Sequence, residues 1–91
     1  MTEFERSVLK LAITAFGDEA QENVAIEECA ELIQAISHKH QKRKNNISEE
    51  IADVEIMIEQ LKMINNCREE VAKIKSSKIN RLWERLKEIG G

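Results

Sequence analysis

The sequence predicts an all-α domain, an antiparallel array of four helices, and three observations favour this fold class. The 91-residue chain has no proline and only three glycines, so it lacks the turn residues that a sheet of many short strands requires. Apolar residues recur with helical spacing in four segments, and short breaks with capping residues separate them. The length, without a linker or repeat, predicts a single domain over residues 1–91.

The first predicted helix spans residues 3–16. Thr2 and Glu5 fit a capping box at its start, and Gly17 ends it. Its apolar stripe is expected to face the core, and it consists of Phe4, Val8, Leu11, Ala12 and Ala15.

Three further helices are predicted from similar capping residues and breaks. Asp18 with Gln21 starts the second helix, which runs from about residue 19 to the low forties and is followed by a break over residues 42–46. Ser48 starts the third helix, which reaches about Asn65. Asn66 with Glu69 starts the fourth helix, which ends at the Gly90-Gly91 tail.

Composition and charge exclude several classes of protein. With 14 basic and 17 acidic residues the net charge is −3, so the chain lacks the positive field that dominates binding to duplex nucleic acid. No apolar run approaches the roughly 20 residues of a membrane span. The two cysteines lie 38 residues apart and no signal pattern opens the chain, which predicts a reduced, soluble, cytoplasmic protein.

The size of the chain predicts a homo-oligomer, at least a dimer. A domain of this length buries only about 60–65% of the surface that its unfolded form exposes. Two apolar faces on one helix indicate two contacts, and the second contact is expected to be another copy of the chain. Such second apolar arcs occur on the second helix at Ile26, Ala30 and Ile33, and on the third at Ala52, Ile56 and Met63.

Four carboxylates fall on the apolar faces of the second and third predicted helices. On a helical wheel Glu28 lies within the apolar stripe of the second helix, and Glu31 lies about 60° away at its edge. Glu50 lies within the stripe of the third helix, and Asp53 again lies about 60° away. Each helix therefore presents two carboxylates in the i, i+3 relation that puts two side chains on one face.

This acidic pattern points to a divalent cation. An ionised carboxylate in an apolar setting is costly unless it is paired or binds a cation. No arginine or lysine shares the two stripes, and an all-oxygen ligand set favours Mg²⁺ or Mn²⁺ over zinc. The alternative, which the pattern alone leaves open, is that all four side chains are solvated acids on an amphipathic surface.

The two acidic motifs resemble those of the MazG-like all-α nucleotide pyrophosphohydrolases. The run EECAE at residues 27–31 is similar to the E-E-x-x-E motif of that family, and EIAD at residues 50–53 is similar to its E-x-x-D motif. The 18-residue connector between the motifs and the apolar run at residues 54–61 also fit the family's spacing. The resemblance covers nearly the whole chain and corresponds to the short, single-domain members, and it implies that the homo-oligomer is a dimer or a tetramer.

The resemblance implies a Mg²⁺-dependent hydrolase, with Mn²⁺ as a possible substitute. Its substrate would be a nucleoside triphosphate, cleaved between the α and β phosphates to the monophosphate and pyrophosphate. The metal ligands would be Glu28, Glu31, Glu50 and Asp53. Glu28 would also be catalytic together with Glu27, which would be an outer-shell partner or the base that positions the attacking water.

Basic residues on the fourth predicted helix are candidates to bind the substrate phosphates. Lys75 and Lys78 fall inside its apolar arc, where a cation is unusual unless it meets an anion. The segment at residues 78–82 is also similar to a basic stretch that helps to hold phosphates in family members, and this adds Arg81. The alternative is that the lysine side chains extend along the helix to water.

Three other features have simpler interpretations. The basic run at residues 38–44 fits a solvated helix end, although it could also gather an anionic substrate. Cys29 lies on the apolar arc and is expected to be a small core residue. Trp83 is expected to pack in an interface rather than to stack on a base.

A second class of function stays open. A regulatory or assembly module could retain the helical fold without the reaction. All five motif acids are present, and this favours the enzyme, since a chain that has lost the reaction is expected to lose some of them.

Overall fold

The computed structural model describes residues 1–90, and its regular structure is entirely helical. The four helices are α1 (Glu3–Phe16), α2 (Asp18–His40), α3 (Ile47–Ile64) and α4 (Arg68–Gly90). This part of the chain contains no strand, which confirms the all-α class and the number of helices. Gly91, the predicted end of the tail, lies outside the described residues. None of the four helices combines the length and the apolar character that crossing a membrane requires.

The start of α1 is as predicted, whereas the start of α2 is not. The Glu5 N–H donates to Thr2 Oγ1 at 3.0 Å and the Thr2 N–H donates to Glu5 Oε1 at 2.8 Å, which completes the capping box. At the next junction the N-cap is Gly17, with φ 95°, and no side chain caps the helix. Only glycine takes this conformation readily. Gly17 is therefore the single residue between α1 and α2, and Asp18 is already the first helical residue of α2.

The starts of α3 and α4 also differ from the sequence predictions. The N-cap of α3 is Asn46 rather than Ser48, which lies inside the helix. Asn66 does not open α4, because it has φ 48° and its N–H donates to the Met63 carbonyl at 3.3 Å. Asparagine tolerates this left-handed conformation, and here it ends α3. The helix α4 therefore begins two residues later.

A left-handed residue also ends α2. Lys42 has φ 57°, and its N–H donates to the Lys39 carbonyl at 3.0 Å. The Arg43 N–H donates to the His38 carbonyl at 2.8 Å. This pair of bonds is a Schellman motif. It folds the chain back on itself, so that Arg43 returns to the side of α2.

The centre of the fold is an antiparallel pair formed by α2 and α3. These two helices share the most extensive contact, and α1 packs against both of them. Three small or flexible apolar residues are fully buried in this core, namely Ala25, Ala35 and Met57. Three polar residues are buried with them, namely Gln21, Glu50 and Gln60.

A buried glutamine joins the three helices. Gln60 of α3 is only 2% exposed. Its Oε1 accepts a hydrogen bond from Gln21 Nε2 of α2 at 2.7 Å, and its Nε2 donates to the Leu9 carbonyl of α1 at 3.2 Å. Gln21, which the sequence suggests as a capping residue, is instead half of this buried amide pair. Buried polar groups are stabilising only when they are paired in this way.

The apolar faces of α1 and α2 are less buried than predicted. In α1 the half-buried residues are Leu9, Ala12 and Ile13, whereas Phe4 is 76% exposed and Leu11 is 67% exposed. The predicted stripe of α1 is therefore wrong except at Ala12, because the α2–α3 pair covers a narrower face of the helix. The remaining members of that stripe, Val8 and Ala15, are exposed as well. Cys29 is also exposed, so its prediction as a core residue is wrong.

The fourth helix does not close a bundle within one chain. Among residues 1–90, α4 contacts α3 but neither α1 nor α2. The contact leaves a groove of about 490 Å³ between α3 and α4, lined by apolar residues with lysines among them. Trp83 is 58% exposed. The four helices thus form an α1–α3 body with a fourth helix that extends from it.

The amide pair yields a prediction for stability. Gln60→Met preserves the length and approximate volume of the side chain but removes both hydrogen bonds, which leaves the buried Gln21 amide without its partner and removes the second bond to the Leu9 carbonyl. We expect the free energy of unfolding to fall by about 1–3 kcal/mol, measured by urea denaturation at fixed protein concentration. Gln34→Met, at an exposed position of α2, is the matched control and should change stability by less than about 0.5 kcal/mol. Equal effects of the two substitutions would contradict the role of Gln60.

Candidate metal centre

The antiparallel register of α2 and α3 brings the two acidic motifs together. Gln21 lies opposite Gln60, and the same register places Glu28 opposite Asp53 and Glu31 opposite Glu50. Each helix presents its two carboxylates one turn apart on the face that meets its neighbour. The structure thus gathers all four residues that the sequence predicts as metal ligands.

The four carboxylates are close enough to share one cation. One oxygen from each of Glu28, Glu31, Glu50 and Asp53 lies within 4.8 Å of the oxygens from the other three. Ligands about 2.1 Å from an octahedral Mg²⁺ would be separated by roughly 3 Å when adjacent and 4.2 Å when opposite. The 4.8 Å limit is only slightly larger than the second of these distances, so at most small side-chain movements would bring the oxygens to octahedral spacing.

Two of these carboxylates have a buried oxygen without a partner. Glu50 is only 5% exposed; its Oε1 accepts a hydrogen bond from Asn46 Nδ2 at 2.7 Å, but its Oε2 has no partner. Glu28 is half-buried, and its Oε2 is likewise buried and unpaired. Buried oxygens of this kind carry a desolvation cost that a bound cation would offset. The alternative interpretation, four solvated surface acids, therefore does not describe Glu28 and Glu50.

Burial and mutual repulsion shift the pKa values of both buried acids. The pKa of Glu28 is raised from 4.5 to about 7, first by burial and then by the negative charges of Glu31 and Asp53. The pKa of Glu50 is raised by burial and by Glu31, and the hydrogen bond from Asn46 opposes this shift. Both shifts reflect the energetic cost of holding negative charges together away from water.

The acidic cluster differs from another partly buried acid of α3 in its lack of basic partners within residues 1–90. Within residues 1–90, none of the four carboxylates is in a salt bridge. By contrast, Glu59 near the other end of α3 is paired with Arg68 at 2.6 Å and Lys62 at 3.6 Å. Arg68 lowers the pKa of Glu59. The same helix thus pairs one acid with bases and leaves the acidic cluster unpaired.

The remaining predicted site residues lie outside the cluster. Glu27 is exposed on α2 beside Glu28. Lys75 and Lys78 line the groove between α3 and α4, and Arg81 lines a neighbouring depression on α4. None of these three bases forms a salt bridge with the cluster within the described residues. Their binding of phosphate stays a prediction.

The structure adds a pocket beside Glu31 that the sequence does not single out. The pocket has a volume of about 490 Å³ and includes Gln34, His38, Gln41 and Arg43. The spacing from Glu31 to Gln34, His38 and Gln41 is a helical one that could have identified this face of α2. Arg43 lines the same pocket because the Schellman motif at the end of α2 returns the chain to the side of that helix.

Asn46 is the other residue that sequence analysis misses. It is the N-cap of α3, but its side chain makes no capping bond and reaches Glu50 instead. The only signal in the sequence is an asparagine four residues before the motif acid. Its amide holds one oxygen of Glu50 and leaves the other directed at the cluster.

The raised pKa of Glu28 predicts the pH dependence of the metal-free protein. The folded state holds a proton on Glu28 more tightly than the unfolded state, so stability is lost as the pH rises from about 4.5 through about 7. In EDTA we expect Glu28→Gln, which lacks this ionisation, to lose less thermal stability than wild type over that interval, measured by circular dichroism. Glu27→Gln is the control and should follow wild type. Parallel curves for wild type and Glu28→Gln would contradict the prediction.

Comparison of the chain with models of protein families, with curated proteins and with solved structures finds no match.

Proposed function

We propose that the protein is a Mg²⁺-dependent nucleoside triphosphate pyrophosphohydrolase and a member of the MazG-like all-α family. The observation that carries this proposal is the pair of buried, unpartnered oxygens on Glu28 and Glu50 within a cluster of four carboxylates. The order and spacing of the two acidic motifs support the family assignment. Both supports concern α2 and α3, the helices that form the centre of the fold.

The residues of the cluster fit a hard divalent cation. All four donors are carboxylates, and oxygen ligands are those that Mg²⁺ and Mn²⁺ prefer. Glu28, Glu31, Glu50 and Asp53 would hold the ion, and Asn46 would keep Glu50 in orientation as an outer-shell partner. Mg²⁺ usually retains open positions for water and phosphate oxygens, and the exposed Glu31 gives the cluster a side that is open to solvent.

The proposed reaction is hydrolysis of the anhydride between the α and β phosphates. The oxygen of a water molecule forms a bond to the α phosphorus, and the bond to the bridging oxygen breaks, so that pyrophosphate leaves. When bound, Mg²⁺ supplies charge neutralisation for the phosphates and polarises a water molecule. Glu27, exposed beside Glu28, would accept a proton from the attacking water or position it.

The pocket beside Glu31 supports an anionic ligand next to the cluster. Gln34, Gln41 and Arg43 offer side-chain donors there, and His38 lies with them. A triphosphate seated at the cluster would be within the field of these groups. Lys75, Lys78 and Arg81 on α4 are proposed as further phosphate contacts on the basis of the resemblance. The two free cysteines are in keeping with a reducing cytoplasmic setting.

The activity is tested by following pyrophosphate release from a panel of ribo- and deoxyribonucleoside triphosphates with Mg²⁺. Glu28→Gln and Glu50→Gln should each lower kcat/KM by at least about 100-fold, because even outer-shell partners of metal ligands are worth about 10–100-fold. Glu49→Gln removes an exposed acid from the same turn of α3 and should retain activity.

Equal background rates for wild type, Glu28→Gln and Glu50→Gln would contradict the proposed enzymatic function. If wild type bound Mg²⁺ without releasing pyrophosphate from any nucleotide, the result would favour the alternative function, a non-catalytic regulatory or assembly module.

Metal binding is tested separately by titration calorimetry with Mg²⁺ and with Mn²⁺. Because the pKa of Glu28 is about 7, binding near neutral pH should release protons and should tighten as the pH rises. The measured enthalpy should therefore change between buffers of different ionisation enthalpy. Glu50→Gln should weaken binding by at least about 10-fold, and Glu49→Gln should leave it unchanged. No uptake of either ion by wild type would contradict the metal centre.

A further inference from the structure

A cleft away from the acidic cluster carries four basic side chains. It lies between α1 and the end of α3 with the turn into α4, and its volume is about 680 Å³. We call it the basic cleft after Arg6 and Lys10 of α1, Lys62 of α3 and Arg68 of α4, which all line it. Lys62 lies nine residues after Asp53, which is about 14 Å farther along the axis of α3. The basic cleft is therefore separate from the candidate metal centre.

The two bases on α1 have no ion-pair partner. Arg6 and Lys10 are four residues apart on one face of the helix, where like charges are destabilising. Neither of them forms a salt bridge in the part of the chain that the structure describes. Glu3 lines the same cleft, but it makes no salt bridge with these bases within residues 1–90. The wall that α1 contributes thus holds two positive charges close together without neutralising them.

The two bases on the opposite wall share a single carboxylate. Arg68 Nη2 donates to Glu59 Oε2 at 2.6 Å, and Lys62 Nζ lies 3.6 Å from Glu59 Oε1. The Lys62 side chain is only 16% exposed, so the contact restrains a largely buried base. The pKa of Glu59 is lowered first by Arg68 and more weakly by Lys62 and Arg6. One acid therefore faces three bases, and positive charge remains in excess in the basic cleft.

An excess of restrained positive charge in a concave site fits a small anion. Guanidinium groups match phosphate oxygens in a bidentate way, and lysines bind phosphate as point charges. The volume of the cleft is within the range of about 300–1,000 Å³ that is typical of small-ligand sites. Asn66 also lines the cleft, and its side-chain amide can donate a further hydrogen bond. Because the bases come in pairs from two walls, an anion with two linked charged groups could contact both walls.

We propose that the basic cleft binds a small anion with a diphosphate group, either inorganic pyrophosphate or a nucleoside diphosphate. One phosphate would meet Arg6 and Lys10, and the other would meet Lys62 and Arg68. A polynucleotide is a poorer fit, because the net charge of the whole chain is −3 and a long phosphate backbone requires an extended positive field. The proposal rests on the placement and pairing of the bases and does not depend on the metal centre.

The test is titration calorimetry of the full chain with pyrophosphate in a low-salt buffer free of phosphate and of divalent cations. Metal ions are removed with a chelating resin, because EDTA is itself an anion with several charges. Without a cation the acidic cluster repels anions, so binding reports a different site. We expect wild type to bind one pyrophosphate per chain. Binding should weaken by at least about 5-fold when ionic strength rises from about 0.05 to about 0.5 M, because salt screens the attraction.

Substitutions on α1 locate the site. Arg6→Gln and Lys10→Gln should each raise the Kd for pyrophosphate by at least about 5-fold, because each removes a charged hydrogen-bond donor. Arg85→Gln makes the same change of charge at an exposed position of α4 outside the cleft and is the matched control, with a change below about 2-fold. Arg6 and Lys10 are exposed on α1, so both variants should keep the helical circular dichroism of wild type.

Two further ligands define the chemistry of the anion. Tighter binding of adenosine diphosphate than of pyrophosphate would identify a nucleotide as the ligand, and equal or weaker binding would identify the inorganic ion; either result supports a diphosphate site. Inorganic phosphate should bind at least about 10-fold more weakly than pyrophosphate, since it can meet only one pair of bases. No binding of either diphosphate, equal affinities for phosphate and pyrophosphate, or equal weakening by Arg6→Gln and Arg85→Gln would each overturn the proposal.

Discussion

The antiparallel register between α2 and α3 is the constraint on which the rest of the structure depends. It is fixed by the buried amide pair of Gln21 and Gln60, whose hydrogen bond has a length of 2.7 Å. A shift of one residue along either helix would rotate its side chains by about 100°, and would separate the amides and the carboxylates together. Because Gln60 also binds the backbone of α1, the same side chain determines where the third helix of the body lies.

Within this register the cluster of four carboxylates carries an electrostatic cost. Elsewhere on α3, Glu59 forms salt bridges with Arg68 and Lys62 that compensate its negative charge. The carboxylates around Glu50 have no basic partner in the described part of the chain, and burial raises the pKa of Glu28 and Glu50. A fold selected for stability alone would be expected to pair or replace such groups. Their arrangement is one that could hold a metal ion.

The sequence predicts the parts of this structure that depend on local signals. The four helices, the Thr2 capping box and the inward placement of Glu28 and Glu50 all follow from helical periodicity and capping residues. Residues with long-range partners are not predictable in this way. Gln21 resembles a capping residue until Gln60 is seen opposite it, and Asn46 resembles an ordinary helix start until its amide is seen to reach Glu50. The stripe of α1 fails for a related reason, since its burial depends on how wide a face the α2–α3 pair offers.

The position of the amide pair relative to the carboxylates has a mechanical consequence. Gln21 lies seven residues before Glu28, and Gln60 lies seven residues after Asp53, which is two helical turns, or roughly 10 Å, along each axis. The α2–α3 pair is therefore held on one side of the cluster by a hydrogen bond between neutral amides and on the other by the chain connection over residues 41–46. Between these two attachments the like charges of the carboxylates repel each other. Because the amide pair does not titrate, a change in the charge of the cluster can alter the local separation of the two helices while the position of α1 is retained.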